Sequence, residues 1–281
     1  MVSYGCAKKH AVLINPMIVF PNAKINIGIN ITDRRPDGYH NIETIFYPLP
    51  IYDALEALPG DNLTFQSSGL DIPGIQDDNL CIKGYHLIKK DHALPPLNIY
   101  LHKHIPIGAG LGGGSANAAF FIKLVNNLFD LGLTTENMLY YARQLGADCA
   151  FFIENKPLFA FERGDQFESV TLDLSKYKIV LVMPPVHVST GEAYREVKPA
   201  PVKQSLYELI SEPIQEWKHH IKNDFETSVF KNHPIIRGVK ASLYDAGAIY
   251  ASMSGSGASV FGIFDKKPDL SELEKTNKVF Y

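Results

Sequence analysis

Only three cysteines, Cys6, Cys81 and Cys149, occur in the 281 residues. They are too few and too scattered for a disulfide framework or a zinc cluster, so reduced, buried thiols in a cytoplasmic protein are expected. Charge of one sign is also scarce: the formal net charge is −3. Such a chain has no general field to attract nucleic acid or an anionic membrane, and neither partner is expected. Any phosphate recognition therefore has to be local. Long apolar runs are missing too. Ala11–Ile14, which follows Lys8, Lys9 and His10, is too short for a membrane span. The chain carries no internal repeat and no low-complexity tract.

What is present is globular. Hydrophobic residues make up 46% and charged residues 20% of the chain, enough for a substantial core. At this length two domains fit better than one. Residues 1–16 precede Met17, where a strong strand pattern begins, and are expected to be a non-native or disordered extension. The expected domains are 17–165 and 166–281, with Arg163-Gly164-Asp165 as the crossing point.

Ile25, Ile27, Ile29 and Ile31 alternate with Lys24, Asn26, Gly28, Asn30 and Thr32, which predicts a strand with one buried face. Asp33–Gly38 reads as a turn, with a second strand over 40–49. Short strands are predicted over 54–58 and 62–66, then a helix over 79–91 capped by Asp77 or Asp78. A strand over 97–103 leads to a helix over 115–129, ended by Gly132. Another helix, capped by Thr134 or Thr135, runs to Leu145. Gly146-Ala-Asp148 is read as a turn into a short strand over 150–153. Beyond it, strands are predicted over 178–183, 249–253 and 260–264, and a helix over 234–246.

Between Gly108 and Gly114 five of seven residues are glycine, and the run lies between an apolar strand and an apolar helix. Glycine concentrates where backbone must adopt positive φ or approach a ligand closely. Free N–H groups in such a turn, with a helix N-terminus behind them, make an anion site. Gly108-x-Gly110-x-x-Gly113 matches the letters of a dinucleotide fingerprint, but Asp130 ends a helix where the fingerprint needs an acidic strand end. A Walker loop fails because Gly114 stands where it needs lysine. The cation for a bound nucleotide must come from elsewhere.

Three segments in order, Pro21-Asn-Ala-Lys24-Ile-Asn26, Pro106–Ala116 and Ser254-Gly-Ser-Gly-Ala-Ser259, resemble the three motifs of the GHMP kinase superfamily. Asp37-Gly-Tyr-His40 and Gly146-Ala-Asp148-Cys-Ala-Phe-Phe152 are similar to the branch whose acceptor is a cytidine-diphosphate sugar alcohol of isoprenoid precursor synthesis. The resemblance runs from Met17 to about Phe264; Cys149-Ala150 departs from the Val-Pro often found there. It implies an α+β fold of two domains, an N-terminal left-handed βαβ domain and a C-terminal ferredoxin-like domain, with the active site in the cleft between them. ATP and Mg2+ are implied, and a small cytidine-diphosphate substrate.

The same resemblance implies roles by position. Lys24 and Asp148 are the catalytic pair. Asp148 either takes the acceptor hydroxyl proton or orients that hydroxyl, and a nearby lysine would balance its charge. Pro106, Ile107, Gly108, Ala109, Gly110, Leu111, Gly112, Gly113, Gly114, Ser115 and Ala116 would hold the ATP phosphates. Ser115 serves as helix cap, as a neighbour of the phosphates or Mg2+, or as both. No dedicated protein ligands for the metal are expected. Asn26 is assigned to substrate hydrogen bonding, Tyr39 and His40 to the cytosine, and Thr190 and Tyr194 to the rest of the base pocket. Leu111 would anchor the loop, and Ala116 and Ala119 would keep the helix slim. A kinase of the same superfamily acting on homoserine, mevalonate or a sugar is the nearer alternative. A nicotinamide-dependent oxidoreductase is the distant one.

Overall fold

The computed structural model describes residues 17–281; the expected extension, residues 1–16, lies outside the described residues. The first half of the chain runs β1 (Met17–Val19), β2 (Asn22–Arg34), β3 (His40–Tyr52), β4 (Ala54–Pro59), β5 (Thr64–Gly69), α1 (Leu80–Asp91) and β6 (Leu97–Lys103). Then come α2 (Gly113–Leu128), α3 (Thr135–Leu145), α4 (Ala147–Glu154), β7 (Leu158–Phe161) and β8 (Gln166–Ser169). The remainder is β9 (Lys178–Met183), α5 (Thr190–Arg195), α6 (Leu206–Leu209), α7 (Trp217–His220), α8 (Phe225–Asn232), α9 (Pro234–Asp245), β10 (Tyr250–Met253), β11 (Val260–Phe264), α10 (Ser271–Glu274) and β12 (Lys278–Phe280).

Three four-stranded sheets organise these elements, in the orders β1-β4-β6-β5, β2-β3-β7-β8 and β10-β11-β9-β12. In the first, β5 and β6 are parallel and α1 connects them, making a βαβ unit. Helices α1 to α4 cover that sheet, burying Leu97, Ile99 and Leu101 of β6 with Phe121, Leu124 and Phe151. The third sheet is antiparallel and packs on α8 and α9 through Val180, Val182, Val229 and Leu243. Between these two cores lies another, where Ile25 and Ile27 of β2 meet Leu181, Trp217 and Phe261. Each such side chain fully withdrawn from water contributes about 1.5–3 kcal/mol.

The alternation in β2 predicted one buried face, but both faces are buried from Asn22 to Ile31. The polar face is covered because Asn26 Nδ2 donates to Thr44 Oγ1 (2.9 Å), whose hydroxyl donates to the Gly28 carbonyl (2.7 Å). Gly28 has φ 75° at a register shift between β2 and β3, and a Cβ there would lie 2.7 Å from Ile221 Cγ2. Beyond this bulge Ile29 and Ile31 join the core under the third sheet. One strand thus feeds two cores.

Three further boundaries differ from the sequence expectation. The cap of α1 is Asn79, whose side chain accepts from Cys81 N; Asp77 and Asp78 sit in the 3-10 turn before it. The predicted strand over 150–153 is part of α4, so Asp148 lies in a helix's first turn. Its apolar run, Ala150–Ile153, is buried against the helical layer, and periodicity cannot separate a short buried strand from a short buried helix. Arg163-Gly164-Asp165, expected as the crossing, is the turn of the β7–β8 hairpin, so the chain leaves that sheet only after Ser169. Thr134 does cap α3, with a capping box to Asn137.

Candidate active site

The glycine run leaves β6, crosses above β2 and turns into α2. Gly108, Gly110 and Gly112 have φ of 66°, 74° and 67°, a conformation that L side chains adopt at a cost. Close approach is demanded as well: a Cβ on Gly110 would lie 2.0 Å from the Ser254 carbonyl oxygen. Leu111 is buried in the central core, and its carbonyl accepts the Lys24 backbone N–H at 3.0 Å. Gly112 caps α2 and the helix starts at Gly113, so Ser115 sits within the first turn and is not its cap. Ala116 and Ala119 are fully buried on the helix face that meets the sheet.

Two cavities flank this run. One, of about 430 Å³, is lined by Gly108, Gly110, Gly112, Lys24, Asn26 and Asp148, and closed by Thr190, Tyr194 and Ser256. The other, of about 400 Å³, is lined by Ile107, Gly114, Lys103 and Asn117 and walled by residues between Phe65 and Leu80. The backbone of the run is the partition between them.

Lys24 and Asp148 are brought together: Nζ lies 3.5 Å from Oδ2. Lys24 is 3% exposed and Asp148 37% exposed, so the lysine forms the floor and the carboxylate reaches the opening. The ammonium also donates to Asn26 Oδ1 (2.5 Å) and sits 4.9 Å from the centroid of the Phe46 ring. Burial pushes the Lys24 pKa below its ordinary value, and the Asp148 carboxylate opposes that shift.

The turn at 254–257 closes the same cavity from the other half of the chain. Ser254 Oγ donates to the Gly110 carbonyl (2.8 Å) and accepts from Asn26 N (3.3 Å). Asn223 Nδ2 holds that turn by donating to the carbonyls of Met253 and Gly255, both at 2.8 Å. Ser189 caps the short helix α5, and the hydroxyls of Thr190 and Ser256 are 3.3 Å apart across the cavity mouth.

The expected base pocket is only partly assembled. Tyr194 lines the cavity and stacks on His40, with ring centroids 4.9 Å apart and planes at 20°. Burial raises the Tyr194 phenol pKa, and the Asp148 charge adds to the effect. Tyr39 stands outside: it is 62% exposed, with the Arg163 guanidinium 5.3 Å from its ring centroid. The turn that presets Tyr39 points it past the rim, and one-residue sequence offsets do not reveal that direction.

Several residues in and around the site carry no sequence signal strong enough to single them out. Phe46 on β3, His187 beside Gly108 and the wall from Phe65 to Leu80 line the cavities, while Thr44 and Asn223 support them through hydrogen bonds to Asn26 and to the 254–257 turn. Asp53 could have been noticed as an acid isolated between two apolar strands. Cys149 is inert: burial pushes its thiol up to about 12, with Ser115 pulling the other way. Among the described residues no cluster of three or more His, Cys, Asp or Glu could hold a metal ion.

Family comparison matches residues 79–156 to the GHMP kinases N terminal domain and residues 205–278 to the GHMP kinases C terminal domain. A 4-diphosphocytidyl-2-C-methyl-D-erythritol kinase of Bacteroides fragilis is 53% identical over 262 residues, covering 92% of this chain and 96% of that protein. A protein of the same name from Chlorobium limicola is 38% identical, covering 92% and 91%. Among solved structures, a 4-(cytidine 5'-diphospho)-2C-methyl-D-erythritol kinase superimposes with a TM-score of 0.77 at 27% identity, covering 94% of this chain and 97% of that one. The mevalonate kinase of Methanococcus jannaschii, at 16% identity and a TM-score of 0.64, covers 95% and 97% and shares the fold alone.

Proposed function

The chain belongs to the GHMP kinase family and is a small-molecule kinase, and from that premise we propose that it transfers the γ-phosphate of ATP to the 2-hydroxyl of 4-diphosphocytidyl-2-C-methyl-D-erythritol. The observation that carries the reading is the Lys24–Asp148 pair, 3.5 Å apart, facing the glycine run across one cavity. Relatives that cover almost the whole chain bear that substrate in their names. Homoserine and mevalonate kinases match only at 16–17% identity, which supports the fold and not those acceptors. The dinucleotide reading of the glycine letters falls with the family.

In this reading the acceptor hydroxyl lies at Asp148 Oδ2. The carboxylate takes or orients its proton, the hydroxyl oxygen attacks the γ-phosphorus in line, and the bond to the bridging oxygen breaks to release ADP. Phosphoryl transfer demands mainly positioning and charge stabilisation, so a fixed carboxylate and a buried ammonium suffice. Residues Pro106 to Ala116 cradle the phosphates, and the cavity walled by Phe65–Leu80 has room for the nucleoside. Tyr194 and His40 contribute the base pocket, with Asn26 and Thr190 at its polar edge and Tyr39 at its outer rim.

ATP chemistry implies Mg2+. The Ser115 hydroxyl in the first turn of α2, beside the phosphate oxygens a bound nucleotide would bring, would suit a cation that needs few protein ligands and keeps its waters. When bound, the ion would supply charge neutralisation on the phosphates.

We assign the phosphate loop and catalytic pair to the half of the chain that ends with β8 at Ser169, and Thr190, Tyr194 and the 254–257 turn to the half that follows. No helix among the described residues is long and apolar enough to cross a membrane. Buried Cys81 and Cys149 suit the cytoplasm. The test is ATP turnover across a panel of acceptors: cytidine-linked methylerythritol, mevalonate and homoserine. Turnover of the first alone is expected, and turnover of mevalonate or homoserine in its place would overturn the substrate.

A further inference from the structure

A loop that holds a triphosphate without a Walker lysine still needs a cation near it. The candidate is Lys103, the last residue of β6. It lines the cavity beside Gly114, and a Cβ on Gly113 would lie 2.8 Å from its Nζ. The ammonium is therefore packed directly under the glycine run. It is 3% exposed, and its counter-ion is Asp53, which is wholly buried.

Asp53 sits between β3 and β4, and both its carboxylate oxygens are fully used. Oδ1 accepts the backbone N–H groups of His104 (2.7 Å) and Ile105 (2.8 Å), the two residues before Pro106. Oδ2 accepts from Lys103 Nζ and from Asn117 Nδ2 (2.8 Å), and Lys103 Nζ also reaches Asn117 Oδ1 at 3.3 Å. Asn117 is in α2, on the far side of the glycine run. The Asp53 backbone N–H donates to the Pro21 carbonyl (2.8 Å), just before the strand that carries Lys24.

We propose that Asp53 is a positioning residue for ATP: one carboxylate fastens the start of the glycine run, the cation beneath it and the helix behind it into a single unit. Stability alone does not account for the arrangement. A buried ion pair is often matched or surpassed by an apolar pair of the same volume, because desolvation offsets the Coulomb attraction. A device that must hold a charge and two backbone N–H groups in register under an anion has no apolar substitute. The loop's peptides are then preorganised before the nucleotide arrives.

This inference rests on the proposed ATP site, and its test keeps the two apart. In Asp53→Asn the side chain keeps its shape but loses its charge. The KM for ATP is expected to rise about 10–100-fold, the loss of one or two charge-assisted hydrogen bonds, while the acceptor KM stays near wild type. A purely structural role would not produce the second readout, a new pH dependence. Burial already lowers the Lys103 pKa and Asp53 opposes it; the other titratable groups facing Lys103 are Cys81 on α1 and Asp78 across the cavity. Without Asp53 the ammonium loses its proton at lower pH, so the variant's KM for ATP begins to climb at lower pH than that of wild type. Should Asp53→Asn fail to fold, Asn117→Leu cuts only the link to α2, and the same ATP-specific rise is expected. An unchanged KM for ATP in the folded variant overturns the role of Asp53. Failure of the wild-type chain to bind ATP overturns the underlying site instead.

Discussion

Ser254 and Gly110, 144 residues apart in sequence, are in contact: the serine hydroxyl donates to the glycine carbonyl at 2.8 Å. The approach is so close that any side chain on Gly110 would meet the Ser254 carbonyl oxygen. The glycine run and the 254–257 turn are therefore one surface, and the cavity between Lys24 and Thr190 depends on both.

Gly110→Ala is expected to lose about 2 kcal/mol or more of stability, from positive φ and a backbone clash together. Gly114→Ala, where nothing lies within 4 Å of the added methyl, is expected to melt within a degree or two of wild type. Thermal denaturation of the two variants side by side checks the contrast; equal melting temperatures would refute it.

Asp148→Asn is expected to lower kcat by about 10²–10⁴ with the KM for ATP little changed, because in the proposed reaction the carboxylate acts on the acceptor and not on the nucleotide. Near-wild-type turnover would remove Asp148 from the chemistry.

The pH profile follows from Lys24. Its pKa is lowered by burial, so its proton leaves as pH rises, earlier than for an ordinary lysine. Activity that needs the ammonium therefore falls as pH rises, and that alkaline limb lies lower than an ordinary lysine would set it. Residual turnover of Asp148→Asn, which lacks the opposing charge, should show its alkaline limb at still lower pH. A limb that stays in place would show that another group controls it.

Lys24→Met should abolish turnover and lower the melting temperature, since the buried Asn26 Oδ1 loses its donor and the Asp148 carboxylate its counter-ion. Activity retained at an unchanged melting temperature would contradict both expectations.

Tyr194→Ala is expected to raise the acceptor KM about tenfold by deleting one aromatic contact, leaving the KM for ATP alone. Tyr39→Ala, at the exposed rim, is expected to act in the same direction and more weakly. A larger effect at Tyr39 would mean that substrate draws the rim inward.

Much of this site was legible from residue order. The glycine run, the lysine on the polar side of β2 and the serine-rich turn were each visible as local patterns, and they do share a cavity. Where the reading failed, tertiary context overrode a short signal. Ala150–Ile153 is an apolar run too short for its period to be measured, so its pattern predicts a strand where the chain forms the helix that carries Asp148. Ser115 has the chemistry of a cap, but Gly112 reached the left-handed region first and started the helix. The wall from Phe65 to Leu80 and the role of Asp53 depend on which strand lies beside which. A linear pattern does not encode that.

The bulge at Gly28 has a consequence for how this protein can be divided. Because β2 passes its isoleucines from the central core to the one beneath the third sheet, neither half carries a complete interior of its own. A fragment ending near residue 165 would leave Ile29 and Ile31 facing water, and the complementary fragment would lack the strand that covers Val180 and Phe225. The two halves are thus not interchangeable cassettes. Chimeras that swap one half between relatives should fold only when β2 travels with the core it completes.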